Sequence, residues 1–474
     1  MSATPSDTTP DDVRDKIAAL VERARAAQRV AETYDQQRID DVVAAVAWAI
    51  YEPARARKLA ELAVRDTGLG RVSDKITKNQ RKTLGTLRDL TGAPSVGVIA
   101  EDPESGITEY AKPVGVVAAI CPSTNPSATP ANKTLMAVKG RNAIVLSPSP
   151  KGASTCRLLL DYIHAELDKV GAPRDLVQML DEPSKPLANE LMRQADLVVV
   201  TGSQRNVRQA YSSGTPAIGV GAGNAPVIVD SDADLPDAAS KIRRSKIFDY
   251  ATSCSSENSV HIHDDVYDQM LAELRANGGY LLDADEKARL RSVMWSGGAL
   301  SGEVIAQPPE KIAALAGLDS PEARAAEFFM VIEDGVGPDY PFSGEKLSVV
   351  LSVYRFADLG AAIDRIQELL DFQGAGHSCG IHTRSYKHAR MVAERLRVAR
   401  VLVNQAHCFG NGGSFDNGLG FTLTMGAGTW AGNSISENLS YRHFLNVTRL
   451  ARVIPVSEPT EEQLWGRYFE KYGR

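Results

Sequence analysis

The stretch Val114-Gly-Val-Val-Ala-Ala-Ile120 decides the fold class, because it is a continuous apolar run without polar alternation. Such a run is typical of a strand covered on both faces, as in a parallel sheet. A strand–helix alternation follows, with strands predicted at 143–146, 176–180, 197–200, 216–220 and 225–230. Repeated units of this length predict a doubly wound α/β sheet, whose ligands bind beyond the carboxyl ends of the strands.

The flanking regions predict a second α/β unit and an antiparallel hairpin. Residues 11–65 and 75–90 have helical periodicity, and residues 94–100 and 107–112 predict a hairpin around the turn at 102–106. The second α/β region begins near residue 235. Its predicted helices cover 266–276, 285–293, 308–315 and 359–370, and its predicted strands cover 328–332, 347–354, 380–383 and 401–403.

The composition excludes several function classes. A chain of 474 residues with 43% hydrophobic and 24% charged residues is typical of a soluble protein of two or three domains. A net charge of −6 with dispersed Lys and Arg gives no support for a nucleic-acid partner. No apolar run approaches the ~18–20 residues that span a bilayer, and the polar start lacks a secretory signal. Five cysteines without a CxxC pair fit the cytoplasm, and eight histidines without ligand spacing predict no metal.

One cysteine, Cys254, is the candidate nucleophile. It lies in Ala251-Thr-Ser-Cys-Ser-Ser256, where small side chains leave room for a substrate, ahead of an apolar, β-branched run. A thiolate attacks carbonyl carbon well, so the segment suits covalent catalysis. The local residues alone fit a small, buried, inert thiol better, because free cysteines are often buried.

Two loops at predicted strand ends carry further candidates. Asn125, in Pro122-Ser-Thr-Asn-Pro126, could offer an amide N–H to an oxyanion, although Asn-Pro is also ordinary turn chemistry. Thr201-Gly-Ser203 lies between a strand and a helix, where a helix N-terminus can bind a pyrophosphate. A simple N-cap is the alternative there, and no G-x-G-x-x-G fingerprint follows the first strand.

Taken together and in order, these motifs resemble the aldehyde dehydrogenase superfamily. The matching segments, between about residues 15 and 450, include Arg141–Pro150, Tyr211–Asn224, Glu345-Lys-Leu347, Gly374-Ala-Gly-His377 and Gly428–Ser434. They are most similar to the CoA-acylating branch and, within it, to the NADP-dependent acylating sulfoacetaldehyde dehydrogenases. The resemblance implies an aldehyde dehydrogenase-like fold, with two doubly wound α/β domains plus an oligomerisation hairpin and tail.

The resemblance also implies the site residues. Cys254 is the expected nucleophile, Asn125 the oxyanion amide, and His377 a histidine near the active site, with a structural loop histidine nearly as well supported. Glu345 is expected to hold the nicotinamide ribose. The full set expected to bind cofactor is Ser147, Pro148, Lys151, Thr201, Gly202, Ser203, Gly221, Gly223 and Glu345.

One departure from the family pattern concerns the acceptor. Hydrolytic members carry a Glu-Leu-Gly-Gly motif whose glutamate activates water, whereas this chain has Val220-Gly-Ala-Gly-Asn224. Valine cannot abstract a proton, so the thioester on Cys254 lacks an obvious base for hydrolysis. A thiol acceptor needs less help, because a modest pKa shift gives thiolate at neutral pH. The departure therefore favours CoA over water.

A second departure concerns the cofactor. Many NAD-specific members place a glutamate after the third strand, where this chain has Ser147-Pro-Ser-Pro-Lys151. No carboxylate would repel a 2′-phosphate there, and Lys151 could attract one. The loop favours NADP, with NAD as the alternative.

The sequence therefore predicts a cytoplasmic, CoA-acylating aldehyde dehydrogenase that acts on a small aldehyde and forms a homodimer or homotetramer. The expected division is a dinucleotide-binding domain over 1–234 with the hairpin at 94–112, a catalytic domain over 235–415, and a returning C-terminal segment over 416–474. A hydrolytic semialdehyde dehydrogenase and a non-catalytic relative are the alternatives. For an acidic substrate, Arg205, Arg442 and His407 are the candidate ligands, although surface or structural roles suit each better.

Overall fold

A five-stranded parallel sheet forms the centre of the first half of the molecule. The computed structural model describes residues 9–474, apart from the side chain of Ser296. From edge to edge, the sheet contains Val177–Met179, Ala143–Ser147, Val116–Ile120, Leu197–Thr201 and Ala217–Val220. The deciding run is the middle strand, paired to both neighbours through Val117↔Ile144 and Val117↔Leu197, and all of its residues are buried. Full burial on both faces explains why the run is apolar throughout.

A seven-stranded parallel sheet forms the centre of the second half. Its order is Gly279–Leu281, Phe328–Ile332, Val350–Phe356, Glu257–His263, Ala225–Val229, Cys379–His382 and Val401–Val403. All of its ladders are parallel. The predicted α/β class with parallel sheets is therefore confirmed.

The chain changes sheets earlier than the predicted boundary at residue 234. The strand Ala225–Val229 pairs with Glu257–His263 and Cys379–His382, so it belongs to the seven-stranded sheet. The crossing falls within residues 221–224, directly after the edge strand Ala217–Val220. Two apolar strands separated by so few residues look like neighbours in one sheet, and only long-range pairing distinguishes them.

An antiparallel sheet joins the predicted hairpin to the chain's tail. Gly97–Asp102 pairs with Ile107–Pro113, which pairs in turn with Leu445–Ala451. The tail strand was not predicted, because its alternating polar residues are largely exposed. Trp295–Ser296 and Ala299–Leu300 form a separate small ribbon.

Helices cover the sheets, and most begin at a residue whose side chain caps a free N–H. Thr9, Asp35, Ser184, Asp234, Asp283, Asp358 and Thr460 are such caps. The predicted helical region 11–65 is three helices, and 75–90 is all but the first three residues of a fourth, Val72–Leu90. The helices of eight or more residues are Pro10–Glu32, Gln36–Tyr51, Pro53–Thr67, Val72–Leu90, Ala128–Lys139, Ala153–Lys169, Lys185–Gln194, Gln204–Tyr211, Leu235–Ile247, Tyr267–Ala276, Ala284–Met294, Pro309–Ala316, Leu359–Phe372, Tyr386–Arg395 and Glu461–Tyr472.

Two features of the chain bear on membranes and targeting. Within residues 9–474, none of the helices combines the length and the apolar character needed to cross a bilayer. The start of the sequence, predicted not to be a secretory signal, lies largely outside the described residues.

Candidate active site

Cys254 lies in a short loop that follows an unusual backbone turn. Three consecutive residues, Asp249, Tyr250 and Ala251, have positive φ values of 51°, 49° and 59°. Residues other than glycine rarely adopt this left-handed backbone conformation, because it is strained. The strained conformation persists only where surrounding contacts enforce it. The strand Glu257–His263 begins just after the loop, at the centre of the seven-stranded sheet. The cysteine is therefore held between a constrained turn and a rigid strand.

The carboxylate of Asp249 holds the turn in place. It is fully buried and accepts hydrogen bonds from Lys75 Nζ at 3.0 Å, Lys78 Nζ at 2.5 Å and the Arg71 N–H at 2.8 Å. A Cβ on Gly70, which has φ +79°, would lie 2.0 Å from Asp249 Oδ1, so only glycine fits there. The Cys254 loop is thus tied to the distant helix Val72–Leu90.

Lys78 extends this network to the predicted oxyanion amide. Its Nζ donates to Asn125 Oδ1 at 2.8 Å and to Thr252 Oγ1 at 3.0 Å. Because the amide oxygen of Asn125 is occupied by a cation, its Nδ2 is the end left to face a substrate carbonyl. Asn125 and Ser253, the residue before the nucleophile, line the same small cavity. The structure therefore brings Asn125 to the Cys254 loop, as the sequence predicts.

Gly223, Glu345 and His377 meet at the other side of Cys254. A Cβ on Gly223 would lie 2.9 Å from Cys254 Cβ and 3.1 Å from His377 Nε2, so the crossing segment packs against both residues. The Gly223 N–H donates to Glu345 Oε1 at 3.2 Å. Glu345 also lines a small cavity with Cys254. Four residues predicted from separate motifs thus share one site.

Burial is the main cause that keeps the Cys254 thiol protonated. Burial and, to a smaller extent, the ionised Glu345 carboxylate raise the pKa of Cys254 to about 12. Burial also raises the pKa of Glu345 to about 8, opposed by the Gly223 hydrogen bond. At neutral pH the site therefore rests as a thiol beside a protonated carboxyl, and needs a proton acceptor to form thiolate.

His377 is a neutral imidazole with one free ring nitrogen. Burial lowers its pKa well below the ordinary value, and the Arg400 guanidinium lowers it further. Nδ1 pairs with Ser378 Oγ at 2.7 Å, whereas Nε2 is buried without a hydrogen-bond partner. Arg400 donates to the His377 carbonyl at 2.9 Å and also lowers the pKa of Cys254 in part. Sequence reasoning did not identify Arg400.

A groove of about 380 Å³ lies beyond the carboxyl ends of the five-stranded sheet. Its walls include Ser147, Pro148, Gly202 and Ser203, at the ends of the two strands that flank the middle strand. The glycine and the helix start at Gln204 suit a pyrophosphate, so the groove fits the predicted dinucleotide. Ser203 Oγ accepts from the Asn206 N–H at 3.3 Å, so it also acts as the ordinary N-cap.

Other predicted cofactor residues lie near the groove without lining it. Lys151 is exposed on the turn Pro150–Gly152, and Thr201 Oγ1 pairs with Thr424 Oγ1 at 2.7 Å. Gly221 packs against the side chain of Gln204. Lys185, which sequence reasoning missed, lines the groove at the start of the helix Lys185–Gln194.

The residues suggested for an acidic substrate do not line either cavity beside Asn125 and Cys254. Arg205 and Arg442 are exposed, and His407 is buried with Nδ1 bonded to the Ser255 carbonyl at 2.8 Å. A sequence signal for charged groups near the site was present in the helix Val72–Leu90. Its buried face is mostly polar and includes Lys75 and Lys78, whereas ordinary helices bury an apolar stripe.

A metal was not expected, and within the described part of the chain no three His, Cys, Asp or Glu side chains converge as metal ligands would. The five cysteines are all free thiols.

Comparisons with known proteins agree with this geometry. The aldehyde dehydrogenase family model matches residues 2–280. A sulfoacetaldehyde dehydrogenase (acylating) of Cupriavidus necator is 58% identical over 97% of this chain and 93% of its own length. A succinate-semialdehyde dehydrogenase (acetylating) of Clostridium kluyveri is 36% identical over 95% of this chain and 99% of its own. An acetylating aldehyde dehydrogenase from Geobacillus thermoglucosidasius superimposes with a TM-score of 0.91 at 35% identity, covering 95% of this chain and 99% of that one. The chain belongs to the aldehyde dehydrogenase family.

Proposed function

We propose that this protein oxidises sulfoacetaldehyde to sulfoacetyl-CoA, with coenzyme A as the acyl acceptor and NADP⁺ as the oxidant. The observation that carries the proposal is the cavity that the Lys78-oriented amide of Asn125 shares with Ser253, the residue before Cys254, together with a buried valine at residue 220. The acylating relatives at 58% and 36% identity support the same reaction type.

In this mechanism, Cys254 attacks the aldehyde carbon to form a thiohemiacetal. Asn125 Nδ2 and the Cys254 N–H stabilise the oxyanion. We assign His377 the role of proton acceptor, because its imidazole is neutral and its buried Nε2 has no partner near Gly223 and Cys254. The bound nicotinamide supplies the hydride acceptor. Collapse of the oxyanion then leaves a thioester on Cys254.

The thiol of CoA attacks that thioester and releases acyl-CoA. Water competes poorly, because residue 220 is a valine and Glu345 is protonated at neutral pH. Hydrolysis is the second candidate function, favoured by one observation: Glu345 lines the cavity of Cys254. Above its pKa of about 8, that carboxylate could serve as a base.

A panel of aldehydes with CoA and each nicotinamide cofactor tests the proposal. We expect sulfoacetaldehyde to have the highest kcat/KM, NADP⁺ to be preferred, and mass spectrometry to find sulfoacetyl-CoA. Rapid formation of free sulfoacetate in the absence of CoA would establish the hydrolytic alternative. Cofactor binding without turnover on any aldehyde would instead indicate a non-catalytic relative.

We also propose that the enzyme is a cytoplasmic homodimer or homotetramer, with the cofactor bound on the first sheet and the nucleophile carried by the second. The exposed edge strand Gly97–Asp102 of the antiparallel sheet supports assembly through that sheet. Light scattering of the purified enzyme tests this, and a monomer at micromolar concentration would refute it.

A further inference from the structure

A small cavity beside the oxyanion amide is lined by cations. Its volume is about 40 Å³, and its walls include Asn125 and Ser253 at one end and Lys78, Arg81 and Lys82 along one side. The three cations lie three and four residues apart, so they share one face of the helix Val72–Leu90. A wider surface cavity of about 310 Å³ adjoins it through Arg81 and Phe409.

Arg81 and Lys82 have no carboxylate partner. In the described part of the chain, neither forms an ion pair within 4.0 Å, whereas Lys78 is neutralised by Asp249. Arg81 donates to Ser414 Oγ at 2.9 Å, and its buried Nε has no partner. Lys82 donates to the Gly412 carbonyl at 2.6 Å. Their direct hydrogen-bond acceptors are neutral, and the nearby carboxylates Asp416 and Asp89 lie beyond ion-pair distance, which leaves positive charge available for an anion.

Arg81 carries the permanent charge of this cavity. Burial and, to a smaller extent, the nearby Arg81 guanidinium lower the pKa of Lys82 to about 7, so Lys82 is only partly charged at neutral pH until an anion binds beside it. Arg244 stands on the rim with its guanidinium 4.2 Å from the Phe409 ring. The acidic group on this rim is Asp416, whose pKa is lowered by the Ser414 hydroxyl and by Arg81 and Arg244. Aromatic walls exclude water and strengthen the remaining positive field.

We propose that Arg81 and Lys82 bind the anionic head of the substrate, so that its aldehyde carbon lies against Asn125 and Cys254. This inference rests on the proposed function and adds the residues that recognise a sulfonate. A guanidinium fork and an ammonium suit an oxyanion head with several acceptor oxygens. The 40 Å³ beside Asn125 gives room for the aldehyde end, and the adjoining cavity of about 310 Å³, which shares Arg81 and Phe409 with it, gives room for the anionic head.

Arg81→Gln tests the inference, with Arg88→Gln as the matched control. Arg88 lies on the same helix, stacks on the same Phe415 and Phe421 rings and contacts the Ser414 carbonyl, but it does not line the cavity. For each variant, kcat/KM is measured with sulfoacetaldehyde and with the uncharged propionaldehyde. Ethanesulfonate serves as a competitive probe of the empty anion site.

We expect Arg81→Gln to lower kcat/KM for sulfoacetaldehyde by about 100-fold, mainly through KM, and to abolish inhibition by ethanesulfonate. Turnover of propionaldehyde should stay within about threefold, as should both activities of Arg88→Gln. Lys82→Gln should act in the same direction, and Arg81→Lys should recover part of the loss.

Failure of the proposed substrate can be distinguished from failure of the proposed anion site. A wild-type enzyme that ignores sulfoacetaldehyde but acylates propionaldehyde removes the proposed substrate. The anion site is refuted if wild-type enzyme uses sulfoacetaldehyde but Arg81→Gln lowers kcat/KM equally for sulfoacetaldehyde and propionaldehyde, or lowers it for neither.

Discussion

We assign two cavities to the reaction at Cys254, and they are built from different kinds of sequence. The cofactor groove is lined mainly by hydroxyl, proline and glycine residues from loops that follow neighbouring strands. The cationic cavity joins the helix Val72–Leu90 to residues 408–423, with contacts such as Arg81 to Ser414 that span 333 positions. The first kind of site follows from sheet topology. The second depends on packing between distant segments, and it carries the charge that selects a substrate.

Replacing Cys254 with Ala should have the largest effect, because the cofactor groove and the cationic cavity both serve the reaction of this one thiol. We expect activity with every aldehyde to fall by about 10⁴-fold or more. Intact-protein mass spectrometry with aldehyde and NADP⁺ but no CoA should find an acyl adduct only on the wild-type enzyme. Cys156→Ala is the control, since that thiol is buried in the core around the first sheet and lines neither cavity. Retained turnover in Cys254→Ala would disprove the assignment of the nucleophile.

Lys78→Met tests whether Lys78, in the wall of the cationic cavity, also orients the amide of Asn125. We expect kcat to fall by about 10- to 100-fold with little change in KM, because Asn125 loses the partner that fixes its amide. Lys75→Met is matched, since Lys75 also pairs with Asp249 but bonds to the Thr124 carbonyl rather than to Asn125.

The interaction between Lys78 and Asn125 can be isolated by adding Asn125→Ala, which by itself should lower kcat by about 10²–10³-fold. If Lys78 acts through Asn125, the double variant should be hardly slower than Asn125→Ala alone. Additive losses, or equal losses in the Lys75 and Lys78 variants, would reduce Lys78 to a structural role.

Lys185→Glu should change the cofactor preference without affecting the cationic cavity. We expect the ratio of kcat/KM for NADP⁺ to that for NAD⁺ to fall by about tenfold, because a carboxylate there would repel a 2′-phosphate. Lys151→Glu should shift the ratio in the same direction but less, since Lys151 does not line the groove. An unchanged ratio in both variants would contradict the predicted NADP preference.

Glu345→Gln should have the smallest effect, and it depends on pH. Wild-type Glu345 ionises with a pKa of about 8, and its charge then raises the pKa of Cys254. Below pH 8 the carboxyl is neutral, so both enzymes should react alike with iodoacetamide at Cys254. As the pH rises through 8, the variant should become faster by about threefold. Glu458→Gln, at an exposed position of the tail, is the control. A difference in rate that shrinks with rising pH would contradict this coupling.

The sequence predicted the sheets well because buried parallel strands require apolar runs, as in Val116–Ile120. It missed the change of sheet after Val220, because the pairing of Ala225–Val229 depends on strands far along the chain. Cys254, Asn125, Gly223 and Glu345 were found through motifs, and the structure brings them together. Arg81 and Lys82 were missed because a cationic stripe on a helix usually faces solvent. Their partners, Ser414 and Gly412, lie too far along the chain for local patterns to connect.

The left-handed run at Asp249–Ala251 has a consequence for the order of assembly. Its carboxylate anchor pairs with lysines that precede it by 171 and 174 positions, on a helix outside either sheet. The second sheet can therefore form without giving the cysteine its working surroundings. Only docking of the early helix supplies the cations that hold the turn and aim the amide. A refolding chain should thus recover its secondary structure before its reactivity, so that Cys254 becomes able to trap an aldehyde only in the finished enzyme.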